Sequence, residues 1–160
     1  MPTILFVCTA NICRSPMAMA LFQRKLQTRG MAAGWQVTSA GTWALEGKPA
    51  AEHGQTLMKE LGMDLSAHRA RTVTGPMLED ADLILTMEHN QKEAMCAEFP
   101  AEAPRIFLLS ELSGYPRDVP DPYGGPLEEY RETAQEISGY IDKGFPRMLE
   151  LARRVAAHGD

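Results

Sequence analysis

The chain has 160 residues, 44% hydrophobic and 23% charged, with a net charge of -5 and a pI near 5.4. That suits one globular domain over residues 1–160. It argues against nucleic acid or an anionic membrane as a partner, because both need a basic face. No apolar run approaches the ~20 residues of a membrane span, and the N-terminus lacks the basic and apolar regions of a signal peptide.

Residues 3–8 read as a first strand, apolar enough to be buried on both faces as in a parallel sheet. A short polar loop follows. A helix then runs from Ser15 to about Arg29, with Ser15 as a plausible N-cap, Pro16 in the first turn and Gly30 as the stop. Trp35–Ala40 reads as strand two, with a loop from Thr42 to about Pro49 and a helix over 51–61 ended by Gly62. Met63–Thr74 is mixed. Asp82–Met87 reads as strand three, 90–98 as a short helix and Arg105–Leu109 as strand four. A Pro/Gly-rich loop over 114–126 leads into a last helix from Leu127 to about Ala156, which Pro146 should kink or split. This alternation predicts a single-domain α/β fold: a doubly wound, Rossmann/flavodoxin-like sheet of about four parallel strands with helices on both faces. Ligands of such sheets bind beyond the carboxyl ends of the strands, where the loops after strands one and four can meet.

The loop after strand one carries the chemistry. Cys8 opens it and Arg14 closes it, with Thr9, Ala10, Asn11, Ile12 and Cys13 between. A loop of this size can turn its N–H groups inward around a tetrahedral anion, and the helix behind adds its positive end. Cys8 would lie beneath the phosphorus, in surroundings that favour the thiolate, which is the attacking form. Arg14 can grip two phosphate oxygens. The Ser15 hydroxyl could donate to the cysteine sulfur as it departs. Cys-x5-Arg alone is a weak pattern; an apolar strand before it and a capped helix after it make it specific. Read without this context, Cys8 would be a small buried hydrophobe.

The stretch Val7-Cys8-Thr9-Ala10-Asn11-Ile12-Cys13-Arg14-Ser15-Pro16 resembles the signature of the low-molecular-weight protein tyrosine phosphatases. The resemblance extends over essentially the whole chain. It implies hydrolysis of phosphotyrosine through a phosphocysteine at Cys8, without metal or other cofactor. It also implies that Asp121, in Asp121-Pro122-Tyr123-Gly124, is the general acid and base, with Asp118 as its rival three residues earlier. Trp43 and Tyr123, together with Ile12, would flank the substrate ring. Asn11, Ser39 and His68 would brace the loop, the Asn side chain bonding loop backbone and His and Ser holding the Asn. Glu88 stands where the family tends to have Asp. Ile12 favours tyrosine, since members that prefer phosphoarginine carry a smaller Thr there. Cys13 matches a cysteine that can form a reversible disulfide with the nucleophile. The family usually has Gly where this chain has Ala10, so a positive φ there would strain the loop.

The other histidines, His53, His89 and His158, show no pairing at ligand spacing, so no metal is expected. The three cysteines, Cys8, Cys13 and Cys96, form no disulfide framework and suit a reducing, cytoplasmic setting. The expected partner is a phosphotyrosine-containing protein, with a cognate tyrosine kinase as the source of its phosphate; a monomer is the default. Two alternatives share the fold, an arsenate reductase and a phosphoarginine phosphatase. The first would need closely spaced cysteines after strand three, where only Cys96 stands. A phosphate-binding module without turnover is a third reading, but it leaves Cys8, Ser15 and Asp121 unexplained together.

Overall fold

Strand β1 (Thr3–Cys8) sets the architecture, because its residues alternate between two cores. In the computed structural model, which describes residues 1–158, Ile4, Phe6 and Cys8 face one core, and Leu5 and Val7 face the other. The first core is closed by helices α1 (Arg14–Thr28), α2 (Glu52–Glu60) and α5 (Leu127–His158). The second is closed by α3 (Gly75–Asp80) and α4 (His89–Glu98). Phe6, Phe22 and Phe145 stack in sequence with ring centroids 5.7 and 5.4 Å apart, joining β1 to α1 and α5.

The remaining strands are β2 (Gln36–Gly41), β3 (Leu83–Thr86) and β4 (Ile106–Leu108). They form a four-stranded, all-parallel sheet in the order β2-β1-β3-β4. The chain steps outward from β1 in both directions, so the crevice beyond its carboxyl end is the topological switch point. Cys8 lies at that end, paired with Gly41.

Three sequence expectations change. Helix α1 begins at Arg14 with Cys13 in the N-cap position, so Ser15 is inside the first turn and caps nothing. Helix α3, absent from the sequence reading, is started by Thr74, whose hydroxyl accepts the Met77 N–H at 3.4 Å. Helix α5 does not split at Pro146: Ile141, Phe145, Met148 and Ala152 are buried on either side of it, and their packing carries the helix across the missing hydrogen bond.

Candidate active site

The loop from Cys8 to Arg14 is held from outside by its carbonyls. Those of Cys8, Thr9, Ala10 and Ile12 accept the N–H groups of Thr42, Trp43, Leu45 and Ala51, at 2.9, 3.0, 3.2 and 2.8 Å. The Asn11 carbonyl takes a hydrogen bond from His68 Nε2 at 2.8 Å. With the carbonyls turned out, the N–H groups of the loop turn in. Those of Thr9, Ala10, Asn11, Ile12 and Cys13 have no protein acceptor among the described residues. Such a ring of convergent donors suits one anion.

Asn11 sets the curvature. It is fully buried and is the one non-glycine at positive φ (60°) among the described residues. Its Nδ2 donates to Ser15 Oγ (2.8 Å) and Ser39 Oγ (3.1 Å), and its Oδ1 accepts the Arg71 N–H at 3.0 Å. The strain anticipated at Ala10 therefore falls one residue later, on a residue type that tolerates the left-handed region. Ser39 and His68 both hold Asn11, and one detail of the bracing differs. The Asn11 side chain bonds Ser15, Ser39 and the Arg71 backbone rather than the loop backbone, while His68 holds Asn11 through its carbonyl. Burial lowers the His68 pKa, opposed by that hydrogen bond.

Because Asn11 donates to Ser15 Oγ, the Ser15 hydroxyl hydrogen remains for an acceptor. Cys8 Sγ lies at 3.0 Å and the Ala40 carbonyl at 3.4 Å. The buried Arg14, 2% exposed, is anchored at Nη1 by the Val119 carbonyl (2.8 Å) and Glu88 Oε2 (3.3 Å). Its Nη2 is 3.7 Å from Asp121 Oδ2, and its Nε has no partner among the described residues. A buried, charged donor left unpaired is costly unless a ligand satisfies it. The Nε and Nη2 edge is the fork that a tetrahedral oxyanion accepts in bidentate fashion.

Cys8, Arg14 and Asp121 line one cavity of about 300 Å³, together with Ile12, Leu45 and Tyr123. Trp43 does not line it. It is 81% exposed and borders a different groove, whose lining includes Val73 and Phe99, and Leu45 takes the wall position. Asp118, the rival acid, is also outside the cavity: its Oδ1 accepts the backbone N–H and Nδ1 of His89, at 2.8 and 2.7 Å. Cys13 lines the cavity as a thiol, 3.4 Å from Tyr130 Oη, and burial pushes its pKa up to about 11. Cys96 is half-buried.

Sequence reasoning missed Leu45, Tyr130 and Gln91. The buried Gln91 accepts the N–H groups of Met87 and Glu88 on Oε1, and its Nε2 donates to Thr9 Oγ1 and Glu88 Oε2, both at 3.0 Å. It thus links the phosphate-size loop to the carboxylate that holds Arg14. The signal was present as a polar residue three places after Glu88 at a helix start.

A cysteine-bearing loop at a parallel-sheet switch point, with inward amides and an arginine whose buried Nε has no partner among the described residues, has the geometry to hold a tetrahedral oxyanion. The comparisons agree. The family model for low molecular weight phosphotyrosine protein phosphatase matches residues 3–154, and the chain belongs to that family. A probable low molecular weight protein-tyrosine-phosphatase, EpsP, from Ralstonia nicotianae is 40% identical over 93% of this chain and 97% of that protein. A protein-arginine-phosphatase from Geobacillus stearothermophilus is 39% identical over 88% of this chain and 91% of its own length. The solved structure of a low molecular weight protein tyrosine phosphatase from T. tengcongensis superposes with a TM-score of 0.86. It shares 43% identity, covering 92% of this chain and 99% of that one.

Proposed function

We propose that the protein hydrolyses phosphotyrosine in proteins through a phosphocysteine on Cys8. The observation that carries this is the cavity itself: it is lined by the Cys8 sulfur, by a loop whose N–H groups are unpaired, by Arg14 with its Nε unpartnered among the described residues, and by one carboxylate, Asp121. In the first step the Cys8 thiolate attacks phosphorus. The S–P bond forms as the P–O(aryl) bond breaks, and the Asp121 carboxyl gives its proton to the departing phenolate oxygen. In the second step water attacks phosphorus and passes a proton to Asp121. The S–P bond breaks and the thiolate leaves with the Ser15 hydroxyl donating to it. The balance is ester plus water to phenol plus phosphate.

Relatives act on either of two phosphorylated residues, so the walls must decide. Ile12, Leu45 and Tyr123 present apolar surface to the substrate side chain. That suits a flat phenyl ring better than a guanidinium, which needs more acceptors than Asp121 alone offers. The substrate protein and a kinase that supplies its phosphate are the implied partners, and the cytoplasm is the implied setting.

The test is a side-by-side assay on phosphotyrosine, phosphoserine and phosphoarginine peptides with chelator present, using wild type and Cys8→Ser. Turnover of phosphotyrosine by wild type alone is expected. A preference for phosphoarginine would overturn the assignment of the walls, and an active Cys8→Ser protein would overturn the nucleophile.

A further inference from the structure

The loop that delivers Asp121 is fastened residue by residue up to Val119 and by little beyond it. Arg117 is held by Ser110, whose hydroxyl donates to the Arg117 carbonyl (2.6 Å) and accepts its N–H (2.7 Å). The Val119 N–H donates to the Met87 carbonyl (2.9 Å), and the Val119 carbonyl accepts from Arg14. Between these two anchors, Asp118 reaches across to the first residue of α4 and takes both donors of His89 on one oxygen. Beyond Val119, Asp121 accepts the Tyr123 N–H at 3.1 Å within its own turn, and among the described residues its one tie outside that turn is the longer, 3.7 Å approach of Oδ2 to Arg14 Nη2.

From this we infer that Asp118 is a positioning residue for the general acid: paired with His89, it fixes the direction in which the Pro120-Asp121-Pro122 segment leaves its last anchor. The two prolines make that segment stiff, so an error in its starting direction is carried to the Asp121 carboxyl. Asp118 holds a segment already tied to the arginine: His89 directly follows Glu88, whose carboxylate is 3.3 Å from Arg14. One short stretch of chain, 87–89, thereby sets both the phosphate clamp and the proton donor. The α4 N-terminus adds its positive end to the bond with the Asp118 carboxylate. Ser110 and Val119 are buried, whereas the Asp118–His89 pair is about half exposed, so it is the one anchor that can be altered with little effect on the core.

This inference rests on Asp121 as the acid, and the experiment separates the two. kcat/KM is measured on phenyl phosphate, a poor leaving group, and p-nitrophenyl phosphate, a good one, for Asp118→Ala, Asp118→Asn, Asp121→Asn and the double variant Asp118→Ala/Asp121→Asn. Loss of the general acid costs about 10²-fold or more on phenyl phosphate in Asp121→Asn, and far less on the nitrophenyl ester. Asp118→Ala is expected to cost about fivefold on phenyl phosphate, the scale of a half-exposed tether of two hydrogen bonds that solvent partly replaces, and less than about twofold on the nitrophenyl ester. Asp118→Asn keeps an oxygen for the His89 N–H groups and recovers most of the loss. In the Asp121→Asn background, Asp118→Ala adds nothing, because there is no acid left to misplace.

Four results would overturn the tether: Asp118→Asn as impaired as Asp118→Ala, which would make Asp118 a proton donor; equal losses on both esters; additive losses in the double variant; or an unimpaired Asp118→Ala. Should Asp118→Ala fail to fold, His89→Ala removes one of the two donors and is expected to act in the same direction, more weakly. An Asp121→Asn protein without leaving-group dependence would remove the acid assignment itself, and the tether with it. Intact acid behaviour with an indifferent Asp118→Ala would remove the tether alone.

Discussion

Replacing Asn11 tests how the anion loop is held open. Asn11→Ala deletes the hydrogen bonds to Ser15, Ser39 and the Arg71 N–H, and leaves a β-carbon at φ 60° without the side-chain bonding that favours it. At about 1 kcal/mol per buried hydrogen bond, plus about 1 kcal/mol for the left-handed backbone, the expected loss is about 3–5 kcal/mol. Against a typical total of about 5–15 kcal/mol, this leaves a folded but weakened protein. For a chain of this size it corresponds to a fall in Tm of about 10 °C or more. Asn11→Gly loses the same bonds but not the backbone compatibility. Relief of the strain is partly offset by glycine's extra unfolded-state entropy, so it should be about 0.5–1 kcal/mol less destabilised than the alanine variant. The assay is urea unfolding of the three proteins, paired with kcat/KM on p-nitrophenyl phosphate, which should fall in both variants as the N–H groups cease to converge. An alanine variant within about 1 kcal/mol of wild type would refute the hydrogen-bond ledger. An alanine variant more stable than the glycine variant would refute the backbone argument.

Gly41 lies so close to the loop that an added Cβ would run into the Thr9 carbonyl oxygen and sit 3.2 Å from Asn11. Gly41→Ala should therefore cost between about 10- and 100-fold in kcat/KM on p-nitrophenyl phosphate, the usual penalty for misplacing catalytic groups by about an ångström, and a fully active variant would refute this reading. Leu45→Ala removes a wall of the cavity and should raise KM for aryl phosphates by about tenfold, the worth of a Leu side chain, whereas Trp43→Ala should change it by less than about twofold; the reverse ranking would place the ring elsewhere. His68 should make stability fall in mild acid. Its pKa is lowered in the fold from an ordinary 6.5, so the unfolded chain binds more protons between the two values. Its contribution is present above pH 6.5 and is lost as pH falls toward the lowered value, which thermal melts of wild type and His68→Gln across about pH 5 to 8 would show as a steeper slope in wild type.

The parts of this molecule that a sequence makes legible are those its short-range chemistry decides. Strand β1, the loop and α1 are contiguous, so an apolar run, a polar turn and a helical period mark them, and Cys8, Arg14 and Ser15 arrive together in space because they are together in the chain. The sheet follows from the apolar runs in the same way, with strand ends shifted by a residue or two. What was not legible depends on the path of loops. Trp43 and Leu45 share the parity that would place both on one face of an extended segment, but the turn at Thr42–Trp43 breaks that parity, and the aliphatic residue reaches the cavity while the aromatic one does not. The positive φ sits on Asn11 rather than Ala10 because Asn11 must point its side chain inward at three partners far apart in the chain: Ser15 on α1, Ser39 on β2 and Arg71 in the segment before α3. Asp118 and Asp121 make the same point for the acid. Both are aspartates on one proline-bounded loop, and local sequence ranks them weakly. Their difference is a long-range pairing: Asp118 is taken by His89 at the start of α4, and Asp121 faces Arg14 with its Oδ2 at 3.7 Å and its side chain about half exposed. The proposed mechanism needs a proton donor that is free to meet the substrate, a condition that cavity-lining Asp121 meets and His89-paired Asp118 does not.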